Sequence, residues 1–177
     1  MNITPQKIAG IDATFAAPPS KSFTHRALIA GALANGKTTL FRPLIADDTR
    51  ITARALRALG VTIEEQPGRT IITGCDGDLP TKGPVTLDCD NSGTSLRLLS
   101  SLALLARHPV TLTGSARMQE RPIGPLADAL PATGGSVRFP NNPGYPPLEV
   151  SGSLTGGTVT VDASMSSQFV SSVLMAA

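Results

Sequence analysis

Residues 83–116 have the sequence "GPVTLDCDNSGTSLRLLSSLALLARHPVTLTGSA". Both ends of this stretch alternate apolar and polar side chains as strands do, and the residues from Thr94 to Arg107 have the length and composition of a helix. A second helix is predicted over 121–135, "RPIGPLADALPATGG", because Pro122 stands near its start, where a helix tolerates proline. Two more strands are predicted, "SVRFP" at 136–140 and "PLEVSG" at 147–152. The predicted order is βαβαββ.

The same order precedes and follows this unit. The preceding copy is predicted to comprise a strand near 11–17, a helix over 22–35, a strand over 38–44, a helix over 48–60, and strands over 61–66 and 69–75. The copies superimpose with a shift of about 71 to 75 residues, so that Gly60 matches Gly135 as a helix stop. A third copy begins with a strand over 157–164 and a helix over 166–177. The predicted fold class is α/β (α+β), with units over about 15–83 and 84–155 and an incomplete unit over 156–177.

Composition limits the classes of function. Hydrophobic residues make up 41% of the 177 residues and charged residues only 16%, which indicates apolar surface that something else covers. A net charge of +2 with 3% aromatic residues does not fit a nucleic-acid binder. No apolar run has the length of a membrane span and the first residues do not resemble a signal peptide, so we expect a cytoplasmic protein without a membrane partner. Cys75 and Cys89 lack metal-ligand spacing, which predicts buried free thiols and neither a disulfide nor a metal site.

The first helix of each copy begins in a run of hydroxyl and amide side chains. These runs are "SKSFTHR" at 20–26, "NSGTSLR" at 91–97 and "SSQF" at 166–169. A helix N-terminus attracts anions through its free N–H groups and its positive dipole end. Each run alone is an ordinary helix cap. Three of them together, with Lys21, Arg26 and Arg97 nearby and Gly93 allowing close approach to the backbone, predict a shared pocket for more than one anionic group.

A competing motif is "GALANGKT" at 31–38, which fits the phosphate-binding pattern G-x-x-x-x-G-K-[ST]. That loop requires a strand before its glycines and a helix after its lysine. Here the predicted helix comes first and the strand follows. We therefore predict that Gly36 is a helix stop and that Lys37 is an exposed loop residue.

Four segments, in this order and spacing, resemble the 5-enolpyruvylshikimate-3-phosphate synthase family, the 3-phosphoshikimate 1-carboxyvinyltransferases. The segments are "PPSKSFTHRAL" at 18–28, "DNSGTSLRLL" at 90–99, "SARMQERPIGPL" at 115–126 and "SMSSQFVSSVLMAA" at 164–177. The resemblance implies two lobes, each of three βαβαββ units about a pseudo-threefold axis, with the substrates between them. It further implies that residues 15–177 are the N-terminal lobe, its third unit truncated. Residues 1–14 would pair with a second lobe, the partner expected to follow Ala177.

The resemblance also assigns site residues. Contacts with shikimate 3-phosphate are implied for Lys21, Ser22, Arg26, Ser166, Ser167 and Gln168. Contacts with phosphoenolpyruvate are implied for Lys21, Asn91, Gly93, Thr94, Arg117 and Gln168. Arg97 would support the pocket from beneath, whereas Glu120 and Arg121 would be structural.

The implied reaction adds the 5-hydroxyl of shikimate 3-phosphate to phosphoenolpyruvate and then eliminates phosphate, without a cofactor. It belongs to the shikimate pathway of aromatic amino acid biosynthesis, where the family is the target of glyphosate. The carboxylates in or beside the motifs are Asp88, Asp90 and Glu120, and the family's catalytic acid and base belong to the second lobe, so we expect this chain alone to be inactive. Two alternatives are an enzyme like UDP-N-acetylglucosamine enolpyruvyl transferase, although no cysteine lies near "GSARMQERPIG", and a non-catalytic anion-binding fragment.

Overall fold

The structure is a computed structural model that describes residues 4, 10 and 12–177. The helices are α1 (Lys21–Leu33), α2 (Asp47–Ala58), α3 (Gly93–Leu102), α4 (Ala116–Gln119), α5 (Gly124–Ala127) and α6 (Ser167–Ala176), with 3-10 turns at Ala103–Leu105 and Leu130–Thr133. The strands are β1 (Lys37–Phe41), β2 (Thr62–Gln66), β3 (Arg69–Thr73), β4 (Val85–Asp88), β5 (Val110–Thr113), β6 (Gly135–Arg138) and β7 (Leu148–Gly152). None of the described helices is long and apolar enough to cross a membrane.

The middle repeat forms a four-stranded sheet in the order β4-β5-β7-β6. β4 and β5 run parallel, because α3 carries the chain back across the sheet between them, and the remaining pairs are antiparallel. Leu112 of β5 pairs with Leu148 of β7, and both side chains are fully buried. The predicted βαβαββ order of this unit is confirmed.

The first repeat forms a sheet with the order β1-β3-β2, which matches β5-β7-β6 of the second repeat. The described strands of the first repeat include none that corresponds to β4 of the second repeat. The sequence predicts that strand near 11–17, and the prediction is wrong for residues 12–17, which form no strand. Those residues are exposed, so they bury no apolar side chain that would hold them against β1. Residue 11 and most of the segment 1–14 lie outside the described residues.

Two further predictions of regular structure are wrong. The helix over 121–135 is interrupted between α5 and the 3-10 turn, where Pro131 lacks the N–H that a continuous helix requires. This segment ends at Gly134 with φ of 97°, so Gly134, not Gly135, matches Gly60, which has the same φ. The strand over 157–164 is absent from this described segment, because nothing pairs with it and most of its residues are exposed.

One buried cluster joins the helices to the two sheets. Within it, α3 and α6 pack closely because small hydroxyl side chains lie between them. Ser172 of α6 is fully buried and its Oγ donates to the carbonyl oxygen of Arg97 at 2.6 Å. The same hydroxyl lies 2.7 Å from Ser101 Oγ of α3. The N-terminal turn of α6 is thereby held beside that of α3.

Candidate functional site

All three predicted helix starts exist, and each has a serine cap. The side chains of Ser20, Ser92 and Ser166 accept hydrogen bonds from backbone N–H groups in the first turns of α1, α3 and α6. The Ser166 hydroxyl accepts from the N–H of Gln168 at 3.2 Å. These three serines therefore act as caps, and the free N–H groups of the first turns, with the side chains that follow them, are left to face a ligand.

Gln168 connects the first turn of α6 to α3. Its Nε2 donates to Thr94 Oγ1 at 3.1 Å, and its Oε1 accepts from Arg97 Nη1 at 3.1 Å. The Arg97 guanidinium lies over the buried ring of Phe169, with its carbon 5.4 Å from the ring centre, in a cation–π contact. The structure thus brings together Thr94, Arg97 and Gln168.

Arg26 connects α1 to α6. Its Nη2 donates to Ser171 Oγ at 3.0 Å and its Nη1 donates to the carbonyl oxygen of Ser22 at 3.2 Å. Ser171 lies one turn after Ser167 and donates to that residue's carbonyl oxygen. The N-terminal halves of α1, α3 and α6 are therefore tied to one another through polar side chains.

Lys21 pairs with a residue that the sequence analysis does not assign to the site. Its Nζ lies 2.7 Å from Asp48 Oδ2, and the two side chains are 52% and 31% exposed. Asp48 is the second residue of α2, and its position in the sequence marks it only as an acid of the first helical turn. The ammonium group of Lys21 has three protons, so two remain available to an anion.

The loop that carries Asn91 is fastened to the turn after β5. Ser115 Oγ donates to Asn91 Oδ1 at 2.7 Å, and the N–H of Ser115 donates to the carbonyl oxygen of Asp90 at 3.1 Å. Only glycine fits at Gly114, because a Cβ there would lie 2.4 Å from that same Asp90 oxygen. Asp88 accepts from the N–H of Asp90 at 2.8 Å, so its carboxylate stabilises the loop.

Arg121, to which the family resemblance gives a structural role, lies beside this loop. Its Nη1 lies 3.1 Å from the position that a Cβ on Gly93 would occupy. The pKa of Arg97 is lowered by burial and, secondarily, by the positive charge of Arg121. Arg117 is exposed and makes no side-chain hydrogen bond with the described residues. The guanidinium groups of Arg97 and Arg121 therefore both lie near the N-terminus of α3. An anion between them would stabilise this arrangement.

A cleft of about 470 Å³ along α2 contains none of the predicted ligand residues. It is lined by residues of both signs together with one apolar residue: Arg50, Arg54, Arg57, Asp47, Glu65, Asp90 and Ile51. This mixture does not concentrate positive charge. The candidate site is therefore the surface formed by the N-terminal turns of α1, α3 and α6, which we call the helix-start surface.

The competing phosphate-loop motif has the reversed order that the sequence predicts. Helix α1 precedes Gly36, which has φ of 88°, and β1 follows, beginning at the exposed Lys37. Lys37 is thus the first residue of a strand and not a loop residue. The order of elements still excludes a nucleotide phosphate loop here.

Both cysteines are free, and the burial that the sequence predicts for both is complete only for Cys89. Cys89 is buried, which raises the pKa of its thiol to about 12, whereas Cys75 is half-buried with a raised pKa from the same cause. Across residues 12–177, His, Cys, Asp and Glu side chains form no group of three or more that could hold a metal ion.

Comparisons with known proteins agree on one family. The pattern of EPSP synthase (3-phosphoshikimate 1-carboxyvinyltransferase) matches residues 5–177. The 3-phosphoshikimate 1-carboxyvinyltransferase of Methanoculleus marisnigri is 64% identical over 167 residues, which are 94% of this chain and 40% of that protein. This chain therefore spans about two fifths of the relative's length.

Solved structures give the same result. EPSP synthase from Acinetobacter baumannii superimposes with a TM-score of 0.77 at 29% identity, over 92% of this chain and 37% of that one. The enolpyruvyl transferase NikO from Streptomyces tendae, at 17% identity and a TM-score of 0.59 over 87% of this chain and 35% of that one, shares the fold. With the family pattern covering residues 5–177, the chain belongs to the EPSP synthase family.

Proposed function

We propose that this chain supplies substrate-binding residues for 3-phosphoshikimate 1-carboxyvinyltransferase activity, the transfer of the enolpyruvyl group from phosphoenolpyruvate to the 5-hydroxyl of shikimate 3-phosphate. The observation that carries the proposal is the Gln168 bridge to Thr94 and Arg97, because it joins two helix N-termini at a basic surface. Both substrates carry a phosphate and a carboxylate. A surface with several positive groups and free N–H donors suits such ligands.

The proposed contacts divide between the substrates. Shikimate 3-phosphate would contact Lys21, Ser22, Arg26, Ser166, Ser167 and Gln168. Phosphoenolpyruvate would contact Lys21, Asn91, Gly93, Thr94 and Gln168, with an arginine from the segment after β5. The resemblance points to Arg117 for that arginine, whereas the position of Arg121 beside Gly93 supports Arg121.

The reaction requires proton transfer in both of its steps. The 5-hydroxyl oxygen bonds to C2 of phosphoenolpyruvate as the hydroxyl proton leaves and C3 gains a proton. The bond from C2 to the phosphate oxygen then breaks as C3 loses a proton, so the double bond forms again and inorganic phosphate departs. The basic residues and N–H groups of the helix-start surface would stabilise the charge on phosphate and carboxylate through both steps.

We infer that the acid and base belong to the part of the enzyme that corresponds to the rest of the relatives' length. Asp88 is occupied in its own loop, where it accepts from the N–H of Asp90, and Glu120 is exposed. Asp48 is paired with Lys21. The same inference covers the lobe arrangement, with residues 15–177 as an N-terminal lobe whose units span about 15–83, 84–155 and 156–177, and residues 1–14 pairing with the second lobe. A cytoplasmic location and inhibition by glyphosate remain predictions from the family resemblance.

Binding of shikimate 3-phosphate to the 177-residue chain tests the proposal. In a titration followed by amide NMR, we expect the largest shifts at Ser22, Thr94 and Gln168, which lie in the first turns of the three helices. Binding should be weak, because on an open surface the ion pairs act in a high dielectric. Arg26→Ala should weaken it, and Lys37→Ala, which removes an exposed positive charge from β1, should not. Shifts spread over unrelated surfaces, or equal losses in both variants, would contradict the proposal.

A further inference from the structure

A chain of hydrogen bonds between buried side chains joins α1, α2 and α3. His25 Nδ1 lies 2.8 Å from Thr52 Oγ1, and Thr52 Oγ1 lies 2.8 Å from Ser95 Oγ. Ser95 Oγ in turn lies 2.7 Å from the Oγ of Ser92, the cap of α3. All four residues are at most 1% exposed. None of them is among the predicted ligand contacts, so the chain requires an explanation of its own.

The Asp48 carbonyl oxygen, which can only accept, allows one direction of donation that uses every donor of the chain. Ser95 Oγ lies 3.2 Å from that oxygen and in this arrangement donates its hydroxyl proton there. Thr52 and Ser92 can then both donate to the oxygen of Ser95, which has two lone pairs. Thr52 is left as an acceptor for His25. One arrangement therefore uses every hydroxyl proton, and it requires a proton on His25 Nδ1.

The other nitrogen of this imidazole is unusual. His25 Nε2 is buried and has no hydrogen-bond partner among the described residues. Burial lowers the pKa of His25 to about 4, so the ring is neutral near pH 7. With Nδ1 protonated, Nε2 holds an unshared lone pair. Leaving the buried Nε2 without a partner costs free energy. Because the protein tolerates this cost, we infer that the hydrogen bond of Nδ1 has a role that outweighs it.

The location of the chain indicates what that role is. His25 follows Lys21 by one helical turn, and Thr52 follows Asp48 by one helical turn, so α1 and α2 are joined at two successive levels. Ser95 contacts both levels through the Thr52 hydroxyl and the Asp48 carbonyl. The chain ends at the cap of α3, directly after Asn91. It therefore sets the spacing of α1 and α3, two of the three helices whose N-terminal turns form the helix-start surface.

We propose that His25 is a positioning residue, which acts as the first donor of a buried chain through Thr52 and Ser95 and holds the N-terminal turns of α1, α2 and α3 in the geometry that binds anions. This inference rests on the proposed function, because it concerns the same surface. It assigns no contact between His25 and substrate.

Paired substitutions separate donation from packing. Asn at position 25 keeps an amide N–H near the place of Nδ1, whereas Leu fills the space without a donor. Thr52→Ser keeps the hydroxyl, whereas Thr52→Val keeps the shape and removes it. Inorganic phosphate is the probe, titrated by amide NMR at pH 7 into each variant, and urea unfolding of the same samples gives their stability.

We expect His25→Leu and Thr52→Val to weaken phosphate binding by about tenfold, since small displacements of binding groups are costly. His25→Asn and Thr52→Ser should stay within about twofold of wild type, on the same argument. The double variant that combines His25→Leu with Thr52→Val should lose no more phosphate affinity than either single variant, because each substitution breaks the same hydrogen-bond chain. If His25→Leu does not fold, the two Thr52 variants make the comparison.

The histidine tautomer provides a readout that a purely packing role would not fix. In ¹⁵N-labelled wild-type protein at pH 7, we expect His25 Nδ1 to show the shift of a protonated nitrogen and Nε2 that of an unprotonated one. The opposite tautomer would overturn the inference, as would unchanged phosphate affinity in Thr52→Val or His25→Leu. If wild type binds no phosphate, the proposed function fails and this inference fails with it, whereas wild-type binding that is insensitive to all four substitutions defeats the inference alone.

Discussion

At the scale of single residues, Arg97 and Arg121 concentrate positive charge at the α3 part of the helix-start surface. Both guanidinium groups lie near the N-terminus of α3, whose dipole is also positive. The two positive charges repel each other in the unliganded protein, which raises its free energy. An anion bound between them attracts both charges and lowers the free energy of the complex. The part of the site beside Gly93 is therefore suited to a phosphate or carboxylate group.

Arg121→Ala should weaken binding of phosphoenolpyruvate by about 10- to 150-fold, because a lost charge-assisted hydrogen bond costs about 1.5 to 3 kcal/mol. Arg117→Ala is the matched control, since it removes the same charge from an exposed position of the same segment. Calorimetric or NMR titration of both variants measures the difference. A larger loss of phosphoenolpyruvate affinity in Arg117→Ala would contradict this assignment and would support Arg117, the residue that the family resemblance indicates.

His25 predicts a pH dependence of stability. Its pKa is about 4 in the folded chain, against 6.5 for an ordinary histidine, so the unfolded state binds a proton first as the pH falls. The free energy of unfolding should therefore fall by about 3 kcal/mol from this residue alone between pH 7 and pH 4. Above pH 6.5 this loss is absent.

Urea unfolding of wild type and His25→Asn over that pH range measures the effect. Carboxylates such as Asp78, whose pKa is lowered by Arg107, also cost stability as the pH falls, but they do so in both proteins. The difference between the two curves isolates His25. Parallel curves would show that the imidazole is not buried in its neutral form.

At the scale of elements, the contact between α3 and α6 decides whether the second and third helix starts meet. It depends on Ser172, whose buried hydroxyl bonds to α3 at both Arg97 and Ser101. A larger side chain there would push α6 away from α3 and break the bridge through Gln168.

Ser172→Leu should lower the free energy of unfolding by about 2 to 4 kcal/mol, from overpacking and from the lost hydrogen bonds. The control is Leu174→Ser on the same helix, because Leu174 is 71% exposed and its substitution should change stability little. Thermal or urea unfolding compares them. Equal effects would mean that α6 does not pack against α3 through Ser172.

The sequence predicts these elements where each has its own periodic signal. Helices α1, α2, α3 and α6 begin within one residue of their predicted starts, because serine caps mark α1, α3 and α6 locally and two first-turn acids, Asp47 and Asp48, mark α2. The helix over 121–135 is predicted wrongly, since Pro131 breaks a pattern whose apolar spacing still suits a helix. The position of Arg121 cannot be read from sequence, because it depends on how the four-residue helix α4 turns.

At the scale of the whole molecule, the repeat is the part of the fold that sequence predicts best. The two copies have matching strand orders, although only the second has all four strands within the described residues. The strands predicted over the described residues 12–17 and over 157–164 fail for one physical reason. A strand is stable only beside another strand, and the alternation of its side chains does not reveal whether that neighbour exists.

The chain also carries apolar surface of the kind that its composition predicts. Phe15, Phe23 and Phe41 are each more than three quarters exposed, as are few phenylalanines in a protein of this size. The composition predicts that something else covers such surface, and this stays a prediction. The sequence predicts where the three helices of the candidate site begin, but it does not predict the pairing of Asp48 with Lys21, because that depends on the packing of α1 against α2.

We propose that this chain binds the substrates and depends on the remainder of the enzyme for proton transfer. The most direct measurement is phosphate release from phosphoenolpyruvate in the presence of shikimate 3-phosphate, first with the 177-residue chain alone. The assay is then repeated after mixing with the segment of the Methanoculleus marisnigri relative that lies beyond the matched 40%. We predict no turnover by the chain alone and turnover on mixing, which Arg26→Ala should reduce. Phosphate release by the chain alone would contradict the claim and would require an acid and base among Asp48, Asp88, Asp90 and Glu120.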